Sequence, residues 1–151
     1  MHIRPAKVSD ARQINALIGT FAEQDKMLFR SLADIYEHLQ TFLVAQEDDQ
    51  VVGCCALEVV WSDLAEIKSL AVAQGHQSKG IGTAFVTAAL EKARELGIGK
   101  VFALTMEPGF FKRLGFVEVP RESLPMKVWR DCARCPKQQS CDEVAVLRSP
   151  A

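Results

Sequence analysis

The stretch AEIKSLAVAQGHQSKGIGTAFV, Ala65 to Val86, decides how this chain is read. Its first part is strand-like, its middle is polar, and Gln77-x-x-Gly80-x-Gly82 opens a long run with an apolar stripe. A strand that turns tightly into a helix leaves main-chain N–H groups unpartnered at the helix N-terminus. These groups face one concavity, and such a concavity binds anions, a pyrophosphate above all. Two well-known phosphate loops do not fit. A P-loop needs Lys and then Ser or Thr directly after its second glycine, and here Gly80 is followed by Ile81-Gly82. A dinucleotide fingerprint needs a small third residue, and that place holds Phe85.

Working outward, His2 to Pro5 reads as a short strand. Ser9 offers an N-cap to a helix with Ile14, Leu17, Ile18 and Phe21 on one stripe. Ser31 with Asp34 resembles a capping box, followed by Leu32, Ile35 and Leu39 at helical spacing. Phe42 to Gln46 and Val51 to Val60 form a hairpin across Glu47-Asp48-Asp49-Gln50. Leu64 to Val72 is the next strand, and the helix after Gly80 runs to about Leu96, where Gly97 and Gly99 stop it. Lys100 to Thr105 is a strand, Pro108 to Leu114 a short helix ended by Gly115, and Phe116 to Val119 and Val144 to Leu147 are strands. Consecutive strands favour antiparallel pairing, and the helix between Leu64–Val72 and Lys100–Thr105 favours a parallel pair there. The expected fold is an α/β (α+β) mixed sheet with helices on both faces, in one domain spanning 1–151. C-terminal edge strands would make a homodimer reasonable.

The 151 residues suit a single core, with 48% hydrophobic and 25% charged residues. The formal net charge of -1 gives no reason to expect nucleic acid as a partner. No secretory signal and no membrane-length apolar run is read, so no membrane partner is expected. Adjacent Cys54 and Cys55 in a strand read as reduced core thiols, which points to the cytoplasm.

With these residues in view, the chain resembles the GNAT N-acetyltransferases. The Gln77-to-Gly82 turn after Leu70-Ala71-Val72 is similar to that family's acyl-CoA signature. The segment GFFKRLGF, Gly109 to Phe116, is similar to its second common stretch, and the element order agrees from Ile3 to about Leu147. The resemblance implies acetyl-CoA as cosubstrate. It implies that the strands Leu64–Val72 and Lys100–Thr105 splay, and that the pantetheine arm lies between them. Leu70 and Val72 would hold its amides, and the N–H groups of Gln77, Ser78, Lys79, Gly80, Ile81, Gly82 and Thr83 would hold the pyrophosphate. It makes a backbone N–H of Ala71 or Val72 the donor to the thioester oxyanion. Phe111 falls at the cofactor-side place where many members carry a tyrosine that protonates the leaving thiolate. Phe has no proton to give. A thiol leaves unaided with a pKa of about 8.5, and Thr105, or a water it holds, is a substitute donor.

Acetyl transfer also needs a base for the acceptor ammonium. Strand alternation puts Glu66, Lys68, Leu70 and Val72 on one face and makes Glu66 the candidate. The stretches DKMLFRSLADIYEHL and VVGCCALEVVWSDLAEIKSLAV, with SLP at Ser123, resemble the short, kinase-less N-acetylglutamate synthases. That resemblance implies L-glutamate as acceptor. Its two carboxylates call for cations, for which Arg30, Lys68 and Arg134 stand as candidates. Other small amines, a protein N-terminus, or a catalytically idle acyl-CoA-binding module are the alternatives. Cys132-x-x-Cys135, with Cys141 beyond, has partial metal-ligand spacing. Reduced thiols on a loop over 130–142 are the simpler reading, with a structural zinc or a disulfide as the others.

Overall fold

The computed structural model describes residues 1–125 and 143–151. Its strands are β1 (His2–Pro5), β2 (Phe42–Glu47), β3 (Gln50–Trp61), β4 (Leu64–Val72), β5 (Lys100–Thr105), β6 (Val117–Val119) and β7 (Val144–Arg148). Its helices are α1 (Ala11–Glu23), α2 (Leu32–Glu37), α3 (Ile81–Glu95) and α4 (Pro108–Lys112). The strands form one sheet in the order β1-β2-β3-β4-β5-β7-β6. Neighbours are antiparallel except β4 and β5, which run parallel, as a crossover through α3 requires. β7 lies between β5 and β6, so the C-terminal strand is interior and, among the described residues, the edges are β1 and β6. The expectation of a C-terminal edge is corrected there: a strand paired on both sides has no free ladder for a second copy.

Helix patterning divides the core. Ile81, Phe85, Val86, Ala89, Leu90 and Ala93 of α3 pack against Ala65, Ile67, Val101, Ala103 and Val146 on one face. On the other face, Ile14, Ile18 and Ile35 of α1 and α2 cover Phe42, Val44, Cys54, Ala56 and Ala71. Further along, Leu64, Phe102, Leu124 and Ala145 form a separate cluster. Each fully buried Phe or Ile contributes about 1.5–3 kcal/mol relative to exposure. α3 sits close to the sheet because position 53 has no side chain: a Cβ on Gly53 would stand 2.8 Å from Phe85 Cε2.

The expected Ser9 cap is replaced. A 3-10 turn over Val8–Asp10 precedes α1, and Asp10 Oδ2 accepts from the Lys7 N–H at 2.7 Å. Arg4 of β1 grips both oxygens of that carboxylate, at 2.8 and 3.0 Å. Ser31 caps α2 as expected, its hydroxyl accepting from the Asp34 N–H at 3.0 Å. The Asp34 carboxylate does not reciprocate; it pairs with Arg30 and His38 instead. Among the described residues no helix is long and apolar enough to cross a membrane.

Candidate active site

The turn read from the sequence is present. Gly80 is the N-cap of α3 at φ 78 and ψ 9, with no side-chain cap, and α3 begins with the Ala84 N–H donating to the Gly80 carbonyl. The N–H groups of Ile81, Gly82 and Thr83 therefore have no partner within the helix. Gly75 and Ser78 also take positive φ, 90 and 69, and fold the connection back on itself. The Gln77 side chain donates to the Val72 carbonyl at 3.0 Å and ties the turn to the end of β4.

This turn bounds a concavity of about 360 Å³ lined by Val72, His76, Gln77, Ser78, Gly80, Ile81, Gly82, Thr83, Phe110 and Arg113. Positive dipole, main-chain donors and the Arg113 guanidinium all favour a polyanion there. Phe110 and Arg113 were not singled out from the sequence. The orientation of α4 on the sheet turns Phe110 toward the concavity and Phe111 into the core. Phe111 is buried, edge-on to Phe110 and Phe116 at 5.1 Å between ring centres in each case. A larger depression of about 510 Å³ includes Gly99, Lys100, Gly115 and Arg148, at the other end of β5. Its Arg148 already donates to the Leu114 carbonyl at 2.6 Å.

β4 and β5 pair only over Leu64–Lys100, Ala65–Val101 and Glu66–Phe102. Beyond Glu66 they part, and β5 continues its ladder with β7 alone. Glu66 thus stands at the fork of a gap, 9% exposed.

The alternation that grouped Glu66, Lys68, Leu70 and Val72 does not hold. The β3–β4 register slips between Cys54 and Ala56, and Ser69 takes φ 55. A bulge adds one residue and reverses the phase of everything after it. Leu70 and Val72 therefore pack toward α3, whereas Ala71 joins the cluster under α1 and α2. Glu66 and Lys68 lie on the face opposite Ala65 and Ile67, which is the face of Ala71.

The bulge also decides which amides face the gap. The Ala73 N–H donates to the Val52 carbonyl at 2.8 Å. The antiparallel ladder repeats every second residue, so the Ala71 N–H is directed at β3, opposite Cys54. The Val72 N–H, between these two in the regular ladder, points the other way, toward the gap. Of the two expected oxyanion donors, Ala71 and Val72, the Ala71 amide is directed into the sheet and the Val72 amide toward the gap.

The acceptor-side cations cluster with Glu66. The Asn15 side chain donates to the Arg30 carbonyl at 2.9 Å and sets Arg30 just ahead of α2. The Arg30 side chain is 8% exposed and stacks 5.0 Å above the Phe42 ring. Its Nε donates to Asp34 Oδ2 at 2.6 Å, its Nη1 to the Ser69 hydroxyl at 3.4 Å, and its Nη2 lies 3.1 Å from Glu58 Oε2. Lys68 Nζ is 3.8 Å from the other Glu58 oxygen. Glu58 faces Glu66 directly across β3 and β4. Burial pushes the Asp34 carboxyl up, but the Arg30 hydrogen bond and charge outweigh it and hold it below its usual value. Cys54 beneath this cluster is pushed up to about 12 by burial and is a neutral thiol.

Arg30, Lys68 and Glu66 are thus brought together. Thr105 is not: alternation along β5 puts it on the α3 side with Val101 and Ala103, where its hydroxyl accepts from the Glu107 N–H at 2.8 Å. Arg134 and the Cys132, Cys135 and Cys141 cluster lie outside the described residues, and the zinc reading gains no support. Among the described residues the only grouping of potential metal ligands is Asp34, Glu37 and His38, and Asp34 there already serves Arg30.

The chain matches the model of the acetyltransferase (GNAT) family over residues 8–116. An uncharacterized N-acetyltransferase of Chlorobaculum tepidum is 43% identical over 147 residues, covering 97% of this chain and 95% of that relative. An amino-acid acetyltransferase of Mycobacterium tuberculosis is 40% identical over 135 residues, covering 87% of this chain and 77% of its own. The N-acetylglutamate synthase of Neisseria gonorrhoeae, solved with coenzyme A and N-acetyl-glutamate, superposes with a TM-score of 0.90 at 30% identity. That match covers 99% of this chain and 35% of the larger enzyme, so the chain spans about a third of it.

Proposed function

The chain belongs to the GNAT acetyltransferase family and is an acetyl-CoA-dependent N-acetyltransferase; on that premise we propose that its acceptor is the α-amine of L-glutamate. One observation carries the reading: Arg30 and Lys68 sit with Glu66 on one face of β4, at the fork where β4 leaves β5. Cations for carboxylates and a carboxylate for an ammonium are the groups an amino-acid acceptor needs. The similarity to an amino-acid acetyltransferase and to an N-acetylglutamate synthase supports it. The same reading makes the reaction a cytoplasmic step toward arginine.

The reaction then runs by direct attack within a ternary complex. The pyrophosphate of acetyl-CoA rests on the amides of Ile81, Gly82 and Thr83, with Arg113 beside it, and the pantetheine arm occupies the gap between β4 and β5. Glu66 takes a proton from the acceptor ammonium, directly or through a water, and the freed nitrogen attacks the thioester carbon. Negative charge gathering on the carbonyl oxygen meets the main-chain N–H of Val72 on β4. Collapse of the tetrahedral adduct breaks the C–S bond and releases the CoA thiolate; the nitrogen sheds its second proton as the amide forms, the thiolate takes up one proton from solvent, and Glu66 returns its own proton to solvent, so that one proton is released overall.

Thiol release from acetyl-CoA, followed against a panel of amino acids and short peptides, tests the acceptor. Release with glutamate well above the other amino acids is expected. Equal release with peptides, or none with any free amino acid, would overturn the glutamate reading.

A further inference from the structure

Glu58 is a carboxylate in the acceptor cluster for which the chemistry above has no use. It faces Glu66 across the two strands, an arrangement that like charges disfavour. Among the described residues, the carboxylates of Asp34 and Glu58 both contact Arg30, and Glu58 also lies near Lys68. The contacts differ in quality. Asp34 holds Arg30 Nε at 2.6 Å, a short charge-assisted hydrogen bond. Glu58 is held as an ion pair without a hydrogen bond: its Oε2 lies 3.1 Å from Arg30 Nη2 and its Oε1 3.8 Å from Lys68 Nζ. Its Oε2 is buried and accepts no hydrogen bond, an unfavourable state that leaving Arg30 would relieve. Asp34 grips the Nε side of the guanidinium, while Glu58 stands where a carboxylate would meet Nη2.

We propose that Glu58 is an internal counter-ion that occupies the acceptor-carboxylate position on Arg30 and Lys68 while the cleft is empty, and that an incoming amino-acid carboxylate displaces it. Asp34 stays in place throughout and keeps Arg30 oriented. Glu58 is thus a positioning residue that sets acceptor affinity. It helps neutralise buried Arg30 and half-buried Lys68 in the free protein, and every carboxylate-bearing acceptor competes with it. This inference rests on the amino-acid reading of the site.

The test is Glu58→Gln, which keeps the shape and removes the charge, with Glu58→Asp as the variant that retains the charge. In Glu58→Gln the KM for glutamate should fall roughly three- to tenfold, the scale of losing one partly exposed charge contact. The KM for acetyl-CoA should not move, and the melting temperature should drop because Arg30 and Lys68 lose a counter-charge. In Glu58→Asp the glutamate KM should return toward that of the unaltered protein. A residue that only supports the fold would lower the melting temperature and raise KM; that outcome, or an unchanged KM, overturns the proposal. The unaltered protein separates this from the parent reading. If it acetylates a different amino acid, the same KM ratio is measured with that acceptor. If it acetylates only amines without a carboxylate, the amino-acid reading and this proposal both fall.

Discussion

Replacing Gly80 with Ala puts a side chain on the one residue that must be left-handed for α3 to begin where it does. Gly80 sits at φ 78, and a Cβ there would meet nothing within 4 Å, so the cost is conformational and not steric. An L-residue in that region costs roughly 1–2 kcal/mol. Lower chain entropy of Ala in the unfolded state offsets about 0.4–1 kcal/mol of this. The free protein has two ways to respond. It can keep the turn, in which case it melts lower and binds CoA as before. For a domain of this size each kcal/mol is worth about 2–4 °C, so the net loss, at most about 1.6 kcal/mol, is up to about 6 °C. Alternatively the turn relaxes and the amides of Ile81, Gly82 and Thr83 swing away. Stability is then kept in the free protein, and CoA affinity falls about 5- to 30-fold, the same 1–2 kcal/mol read as binding. The bound form is strained in either case. Calorimetric melting with and without saturating acetyl-CoA, together with the CoA dissociation constant, captures the sum. Gly80→Asn, which tolerates this conformation better, should recover part of it. Unchanged melting in both conditions with unchanged CoA affinity would refute the reasoning that this conformation builds the anion site.

Other consequences follow from named contacts. Glu66→Gln should lower kcat by about 10²- to 10⁴-fold, the usual worth of a general base, with acetyl-CoA affinity retained; steady-state kinetics with a full pH profile would expose any normal turnover that removes Glu66 from the role. Arg30→Lys keeps the charge but loses the planar fork, so the acceptor KM should rise roughly ten- to a hundredfold while the acetyl-CoA KM stays put; equal changes in both constants would take Arg30 out of the acceptor site. The Asp10 carboxyl is held below its ordinary range, mainly by its hydrogen bonds from Arg4. Its contribution to stability is therefore fully present above the unfolded value near 3.9 and is lost as pH falls through the lower folded value, because the unfolded chain takes up the proton first. Asp10→Asn should lower the urea midpoint at pH 7, and its deficit should shrink below about pH 4. A deficit that stayed constant with pH would contradict this assignment.

The sheet, its crossover and the phosphate turn were legible because each rests on local pattern. A parallel pair follows from a helix lying between two strands, and Gly80 with Gly82 marks a turn that side chains would resist. What escaped was set by register. The bulge at Ser69 has no strong sequence mark, since serine is not the residue that usually takes positive φ, and that one extra residue reversed the faces of Leu70 and Val72 relative to Glu66. The register also distinguishes the two expected oxyanion donors, turning the Ala71 amide to β3 and the Val72 amide toward the gap. Phe110 and Phe111 are adjacent and chemically alike, so only the orientation of α4 on the sheet determines which one lines the concavity. Glu58 carries no local sequence mark, because its partner Arg30, 3.1 Å away, is distant in sequence. The position of β7 between β5 and β6 depends on a long-range pairing that no local signal encodes.

The central claim is that main-chain amides at the start of α3 grip the diphosphate of coenzyme A. Titration calorimetry with coenzyme A and, separately, with pantetheine, which carries the thiol arm without the nucleotide diphosphate, tests it most directly. The account predicts one coenzyme A per chain, weakened by added salt, and pantetheine bound at least a hundredfold more weakly, on the order of 3 kcal/mol. Pantetheine binding as tightly as coenzyme A to the folded protein would contradict it.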